Sequence, residues 1–405
     1  MAGLNDTPSG NRTHIAFFGR RNAGKSTLVN ALTGQEIAIV SDVAGTTTDP
    51  VSKAMEILPL GPCVITDTAG LDDEGTLGEE RVRRTLEVLE KTDVAVLVLN
   101  AEDCLARRRG DAEGIDDVER LVVEACAARK VPLLTVFNKK DRIDSAPPRL
   151  RGSLLVSGRT GEGIEELKRK IAEIKLADEP RPLIADLVKA GDTVICVCPI
   201  DESAPKGRLI LPQQQVVREL LDAGAMALVC QPDALSGYFA NGTVRPRFVI
   251  TDSQAFGAVS KSVPADVPLT SFSIVFARAK GDLAVYCGGA EAMKDLKEGD
   301  TVLVAEGCTH HRQCNDIGTV KLPRWVQQYT GKKLNFEFSS GNGFPEDLSK
   351  YALVIQCGGC MLTRRAVQAR IARCRAAGVP IANYGIAIAA CHGIHVEPDT
   401  CMVKR

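Results

Sequence analysis

The chain has 405 residues, 50 basic and 51 acidic side chains, and a formal charge of −1. This length exceeds one compact core and calls for two or three domains, and 44% hydrophobic with 25% charged residues describes a globular chain. The charge balance excludes a general nucleic-acid footprint, and no window approaches eighteen consecutive apolar residues that would span a membrane.

No signal peptide precedes the first apolar run, which is four residues long and backed by Arg20 and Arg21, so a cytoplasmic location is expected. Thiols stay reduced there, so fourteen cysteines raise a metal question rather than a disulfide framework.

Taken in chain order, strands are predicted near 13–18, 52–58, 63–66, 94–100, 132–137 and 153–156. Helices fit near 25–32, 79–90, 117–129 and 164–174, giving an α/β sheet with helices on both faces. The run Ile15-Ala16-Phe17-Phe18 leads into Gly19-Arg20-Arg21-Asn22-Ala23-Gly24-Lys25-Ser26-Thr27, the GxxxxGK[ST] loop between a strand and a helix. Its amides and the helix N-terminus favour a polyphosphate, Lys25 is placed to reach the β- and γ-phosphates, and the Ser26 hydroxyl to ligate Mg²⁺. Asp67-Thr68-Ala69-Gly70 closes the next apolar run, with Asp67 in the Mg²⁺ shell and the Gly70 amide at the γ-phosphate.

Asn138-Lys139-Lys140-Asp141 ends another strand. Asp141 can accept both N1–H and the exocyclic amine of guanine, a donor pair that adenine lacks, and Ser157-Gly158 would complete the base pocket. The nucleotide is therefore GTP. The run Arg107-Arg108-Arg109 reads as a solvated loop face.

These motifs resemble the translation-factor-related class of small GTPases over residues 11–176. Leu71 stands where signalling GTPases carry a water-positioning Gln, so intrinsic hydrolysis is expected to be slow. Asn22, with Gly45-Thr46-Thr47-Thr48-Asp49 downstream, resembles potassium-activated GTPases, in which the loop Asn helps bind K⁺. Thr47 is the choice for the Mg²⁺-contacting switch threonine, with Thr46 and Thr48 as rivals, and Thr48 replaces that group's usual Arg.

Glu179-Pro180-Arg181-Pro182 marks a boundary. A short α/β unit follows over 183–264, with strands at 192–197, 227–230 and 247–251 and a helix at 213–221. It carries no catalytic set and reads as a packing or self-association unit, with Cys196 and Cys198 assigned to its core. In the third unit, 268–405, strand 301–305 runs into Gly307-Cys308-Thr309-His310-His311, and strand 351–355 into Gln356-Cys357-Gly358-Gly359-Cys360. A helix is predicted to begin near Leu362 or Thr363, lowering the thiolate pKa values through its N-terminal dipole. Both motifs lie past strand C-terminal ends, where open α/β sheets place ligands. Cys308, Cys357 and Cys360 can therefore share one metal. Three Cys with a His fit structural zinc, and three Cys with an exchangeable fourth position fit an iron–sulfur cluster. Cys314, His311, Cys391, His392 and His395 are further candidates in this unit, but the stretch Cys391 to His395 reads better as a surface turn, and Cys314 reads equally well as an incidental thiol in a polar loop.

The order of GTPase, small α/β unit and CxHx46CxxC resembles the HydF family of [FeFe]-hydrogenase maturation GTPases over essentially the whole chain. Ala204 to Pro212, Thr251 to Gln254, Phe276 to Arg278, Asp316 to Gly318 and Asn383 to Gly385 resemble that family too. The resemblance implies an α/β protein of three domains: a Ras-like P-loop GTPase, a dimerisation domain and an iron–sulfur cluster domain. It implies a [4Fe-4S] cluster on Cys308, Cys357 and Cys360 and a homodimer or tetramer. It also implies carriage of a diiron precursor that radical-enzyme maturases build and the apo-hydrogenase receives. Many members carry His before the CxxC; Gln356 stands there here, which leaves His310, water or an exchangeable side chain as fourth ligand. Two other classes remain open: a potassium-activated GTPase of tRNA modification or ribosome assembly with a zinc site, and a GTP-dependent dithiol switch.

Overall fold

The computed structural model describes residues 7–34, 51–68, 85–107, 115–144, 152–176, 181–200, 207–242, 244–307, 316–341 and 343–404. The expectations for Thr46, Thr47, Thr48, Gly70, Leu71, Cys308, His310, His311 and Cys314 lie outside these residues. The chain divides into two compact units, Met1–Glu179 and Pro180–Arg405.

The first unit is built on a six-stranded sheet. Its strands are β1 (Thr13–Phe18), β2 (Val51–Ile57), β3 (Gly61–Asp67), β4 (Val94–Asn100), β5 (Leu133–Asn138) and β6 (Leu154–Leu155), ordered β2-β3-β1-β4-β5-β6. All neighbours are parallel except β2, which runs antiparallel along β3 at the edge. The apolar run of β1 explains why both faces are covered. Ile15 and Phe17 pack on one side with Leu28, Leu32, Leu167 and Ile171, whereas Ala16 and Phe18 pack on the other with Cys104, Val122 and Cys126. β4 divides the same way, Val94, Val96 and Val98 against Ala95, Leu97 and Leu99. A parallel strand buried on both faces needs this near-continuous hydrophobicity.

Helices Lys25–Thr33, Asp117–Ala128 and Ile164–Ala172 flank the sheet. A further helix, Ala101–Arg107, corrects the solvated-loop reading of Arg107. Its guanidinium pairs with Glu119 at 2.9 Å, and Glu119 is buried within the capping box that starts the next helix at Asp116.

The second unit holds two parallel four-stranded sheets. One comprises β7 (Thr193–Val197), β8 (Met226–Cys230), β9 (Phe248–Thr251) and β10 (Leu269–Ser271), in the order β10-β9-β7-β8. The other comprises β11 (Thr301–Ala305), β12 (Asn335–Ser339), β13 (Leu353–Gln356) and β14 (Ile381–Asn383), in the order β12-β11-β13-β14. A short antiparallel pair, His395–Val396 with Val403–Lys404, follows. One hydrophobic core runs through both sheets, from Leu183 to Val403. Cys196 and Cys198 are buried in it, and burial pushes the Cys196 thiol up to about 12. Helix Phe272–Lys280 leaves β10 directly, capped by the Ser271 hydroxyl, which accepts from the Ile274 amide at 3.2 Å. Among the described residues no helix is long and apolar enough to cross a membrane.

Candidate functional site

Two sites stand out, one at the C-terminal end of each unit's principal sheet. In the first, residues 19–24 join β1 to helix Lys25–Thr33. Gly24 has φ +87°, and a Cβ there would lie 2.3 Å from the Asn138 amide nitrogen, so the loop closes only with glycine. Asn22 takes φ +60°, a conformation that Asn tolerates better than most side chains. The Lys25 ammonium donates to the Gly19 and Arg20 carbonyls, each at 3.0 Å, and so lies folded over the loop.

Ser26 and Asp67 meet as well. The Ser26 hydroxyl donates to Asp67 Oδ2, while Asp67 Oδ1 is buried and, among the described residues, has no hydrogen-bond partner. Burial raises the carboxyl above its usual range, against the opposing pull of Ser26 and Lys25. A hydroxyl beside a buried carboxylate oxygen with spare lone pairs suits Mg²⁺, a hard cation that takes oxygen ligands.

The base-side loops are locked by Asn138. It is 2% exposed, its amide donates to the carbonyls of Ala23 at 3.0 Å and Gly24 at 3.3 Å, and its Oδ1 accepts from the Gly158 amide at 2.9 Å. Asp141 is held differently. The Ser157 hydroxyl donates to its carboxylate at 2.6 Å, and this bond holds the carboxyl below its usual range. Gly19 to Thr27, Asp67, Asn138, Asp141, Ser157 and Gly158 therefore form one connected neighbourhood. Sequence reading missed the clamping role of Asn138, because its partners are 114 and 115 residues away.

The second site gathers around Cys357 and Cys360. β11 and β13 lie side by side, with Ala305 opposite Gln356. The Cys357 amide donates to the Ala305 carbonyl at 2.9 Å. Beyond the strands, the Cys357 sulfur accepts from the amides of Gly307 at 3.1 Å and Gly359 at 3.4 Å. The residue preceding Cys308 in the chain is thus bonded to the first CxxC sulfur. Gln356 is buried and donates to the Tyr286 hydroxyl at 3.2 Å. The Asn383 amide reaches the Cys357 carbonyl at 3.4 Å, and Asn383 itself accepts from Ser273 at 3.0 Å.

Helix Arg364–Ala376 begins just after the turn, with the Thr363 hydroxyl accepting from the Ala366 amide at 3.1 Å. The expectation of lowered thiol pKa values does not hold. Burial pushes Cys360 up to about 11 and Cys357 also upward, because desolvating a thiolate outweighs the nearby amides. Binding a cation is what would hold these sulfurs deprotonated.

Lys280, which the sequence did not single out, is buried and donates to the carbonyls of Gly359, Cys360 and Leu362. His392 lies instead edge-on to Trp325, with ring centroids 5.7 Å apart. Among the described residues, no group of three or more His, Cys, Asp or Glu side chains is arranged to hold a metal ion. Cys357 and Cys360, each thiol-bearing and two of the three proposed ligands, have donor chemistry that suits zinc or an iron–sulfur group.

Comparison with known proteins follows the same division. Residues 14–139 match the family model of the 50S ribosome-binding GTPases, 183–281 that of the hydrogen maturase F dimerization domain, and 284–397 that of the hydrogen maturase F tetramerization domain. A tRNA modification GTPase MnmE of Xanthomonas oryzae pv. oryzae is 39% identical over 166 residues, 41% of this chain and 34% of that protein. The MnmE of Bordetella petrii is 38% identical over 159 residues, 39% of this chain and 32% of its own. The chain thus spans about a third of the length of these curated relatives. Among solved structures, Aquifex aeolicus Era bound to GDP·AlF₄⁻ aligns at TM-score 0.32 and 22% identity, covering 53% of this chain and 91% of that one. The G domain of T. maritima FeoB aligns at 0.30 and 23%, covering 40% and 98%.

Proposed function

The chain belongs to the hydrogen maturase F family, and from that premise we propose that it binds and hydrolyses GTP while carrying a diiron precursor of the hydrogenase active site. The radical-enzyme maturases would load this cargo, and the apo-hydrogenase would receive it. GTP is read by Asp141, its phosphates by Lys25 and the loop amides, and Mg²⁺ by Ser26 and Asp67. We assign Thr47 to the Mg²⁺ shell, the Gly70 amide to the γ-phosphate and Asn22 to K⁺, which would make hydrolysis faster in potassium than in sodium. Self-association accords with the dimerization and tetramerization segments.

The single observation that carries the cluster reading is the 3.1 Å bond from the Gly307 amide to the Cys357 sulfur. It ties Gly307, which precedes Cys308 in the sequence, to the first sulfur of the CxxC turn, and this supports reading the three cysteines as ligands of one group. Cys308, Cys357 and Cys360 would hold a [4Fe-4S] cluster, with His310 or solvent as the fourth ligand, and the cluster would supply an exchangeable iron position for an incoming metal complex. Amide-to-sulfur bonds stabilise thiolate charge, and Gln356 is engaged with Tyr286 rather than with the sulfurs.

The tRNA-modification reading is favoured by the likeness to MnmE, but that likeness takes in 41% of this chain, whereas the maturase segments account for residues 183–281 and 284–397. Anaerobic iron and sulfide analysis of the reconstituted chain, with EPR of the reduced form, decides between them. About four iron and four sulfide per chain with a cluster signal support the maturation reading. Stoichiometric zinc without a signal overturns it.

A further inference from the structure

We propose that Lys280 is a positioning residue of the cysteine turn, fixing its backbone and placing a positive charge that raises the reduction potential of the iron–sulfur group held there. The inference rests on the cluster reading above and concerns a residue outside the cysteine motifs.

Lys280 is the last residue of helix Phe272–Lys280 and is only 7% exposed. Burying a lysine is expensive unless its charge is met. Here the nitrogen donates to the carbonyls of Gly359 at 3.2 Å, Cys360 at 3.2 Å and Leu362 at 2.7 Å. Three carbonyl acceptors match the three N–H donors of the ammonium form, which offsets the burial that lowers this amine to about 8. The Phe276 ring stands 5.5 Å from the same nitrogen and adds its attractive face.

The geometry sorts the turn's backbone. Three carbonyls point at the ammonium, while the Gly359 amide points at the Cys357 sulfur. Lys280 thereby presents donors to one side of the turn, while the Gly359 amide serves the Cys357 sulfur on the other.

The mount is rigid. The Gln368 amide donates to the carbonyls of Lys280 at 3.0 Å and Gly281 at 3.1 Å, and Arg364 donates to the Ala279 carbonyl at 2.9 Å. Helix Phe272–Lys280 and helix Arg364–Ala376, which follows the cysteines, therefore hold each other.

The electrostatic direction follows directly. Reduction adds negative charge to a cluster, and a fixed cation in a poorly solvated site favours the more negative state. Removing the cation makes reduction harder.

The test compares the wild-type full chain with Lys280→Met, Lys280→Gln and Lys280→Arg, each reconstituted anaerobically, by iron and sulfide content and EPR-monitored redox titration. Met removes charge and donors, Gln keeps two donors without charge, and Arg keeps the charge. The expected result is a midpoint shifted to more negative potential in Met and Gln and nearer wild type in Arg. A role confined to packing would lower thermal stability or cluster occupancy without moving the potential of the occupied fraction. An unmoved midpoint in fully loaded Met or Gln protein overturns the inference alone, and Gln decides if Met fails to fold. A wild-type chain that takes up no iron overturns the cluster reading and the inference together.

Discussion

At the residue scale, Asp67 shows what burying a carboxyl costs the nucleotide-free fold. Its carboxyl is raised by burial, so the folded chain binds a proton more tightly than the unfolded chain does. Between the unfolded value, near 3.9, and the raised folded value, the native state holds more protons, and stability falls as pH rises through that window. Nucleotide-free Asp67→Asn, which mimics the neutral form, is therefore expected to be more stable than wild type at neutral pH. That advantage should fade as the pH approaches 4. Urea unfolding of both proteins across pH checks this, and equal stability at pH 7 would refute it. The candidate ligands at this site were legible, because phosphate loops and base-reading loops are contiguous motifs. What was not legible is the division of labour. The Asn138 side chain ties Ala23, Gly24 and Gly158 together, and Ser157 engages Asp141 by its hydroxyl, through contacts that span 16 to 115 residues. Lys280 was hidden for the same reason: nothing in Phe276-Ala277-Arg278-Ala279-Lys280 announces carbonyls that lie about eighty residues ahead.

At the element scale, strands were easier to read than helices. β1, β4 and β11 match the predicted runs residue for residue, because a buried parallel strand is apolar throughout and bounded by polar residues. Helices Leu283–Glu291 and Tyr384–Cys391 escaped prediction because they are apolar all round, with no amphipathic stripe to find. The first contains Gly289, against which β14 packs so closely that a Cβ would sit 2.0 Å from the Ile381 carbonyl oxygen. Nothing there is the flexible end of a side chain. Gly289→Ala should destabilise the second unit by about 2–3 kcal/mol, measured by denaturant unfolding. A second element-level consequence concerns edges. β10 is buried along its length, whereas β8 leaves Met226 53% and Val229 44% exposed on an open sheet edge. Exposed apolar edge strands are templates for pairing with another chain. Val229→Lys should weaken self-association at least tenfold, about 1.4 kcal/mol, while leaving the protomer's fold within about 0.5 kcal/mol. Sedimentation equilibrium giving the same mass for both proteins would rule out this edge.

At the scale of the whole molecule, the two sites belong to cores with no residue in common. The cores of the GTPase unit are confined to residues 15–171, and the core of the second unit runs from 183 to 403. Separate cores favour separate cooperative transitions. Calorimetry of the nucleotide-free chain should therefore resolve two. A nucleotide that binds only the folded GTPase unit, at a hundred times its dissociation constant, stabilises that unit by about 2.7 kcal/mol. For a unit of this size the transition should move up by about 5–11 °C. The position of the other transition then carries the argument. If it stays put, nucleotide state is not transmitted to the second unit within the isolated chain. If both transitions move together, the chain itself couples GTP to the cysteine turn. The separate cores and the turn's support from Lys280 within its own unit favour the first result, so a shift of the second transition by more than about 2 °C would count against this division.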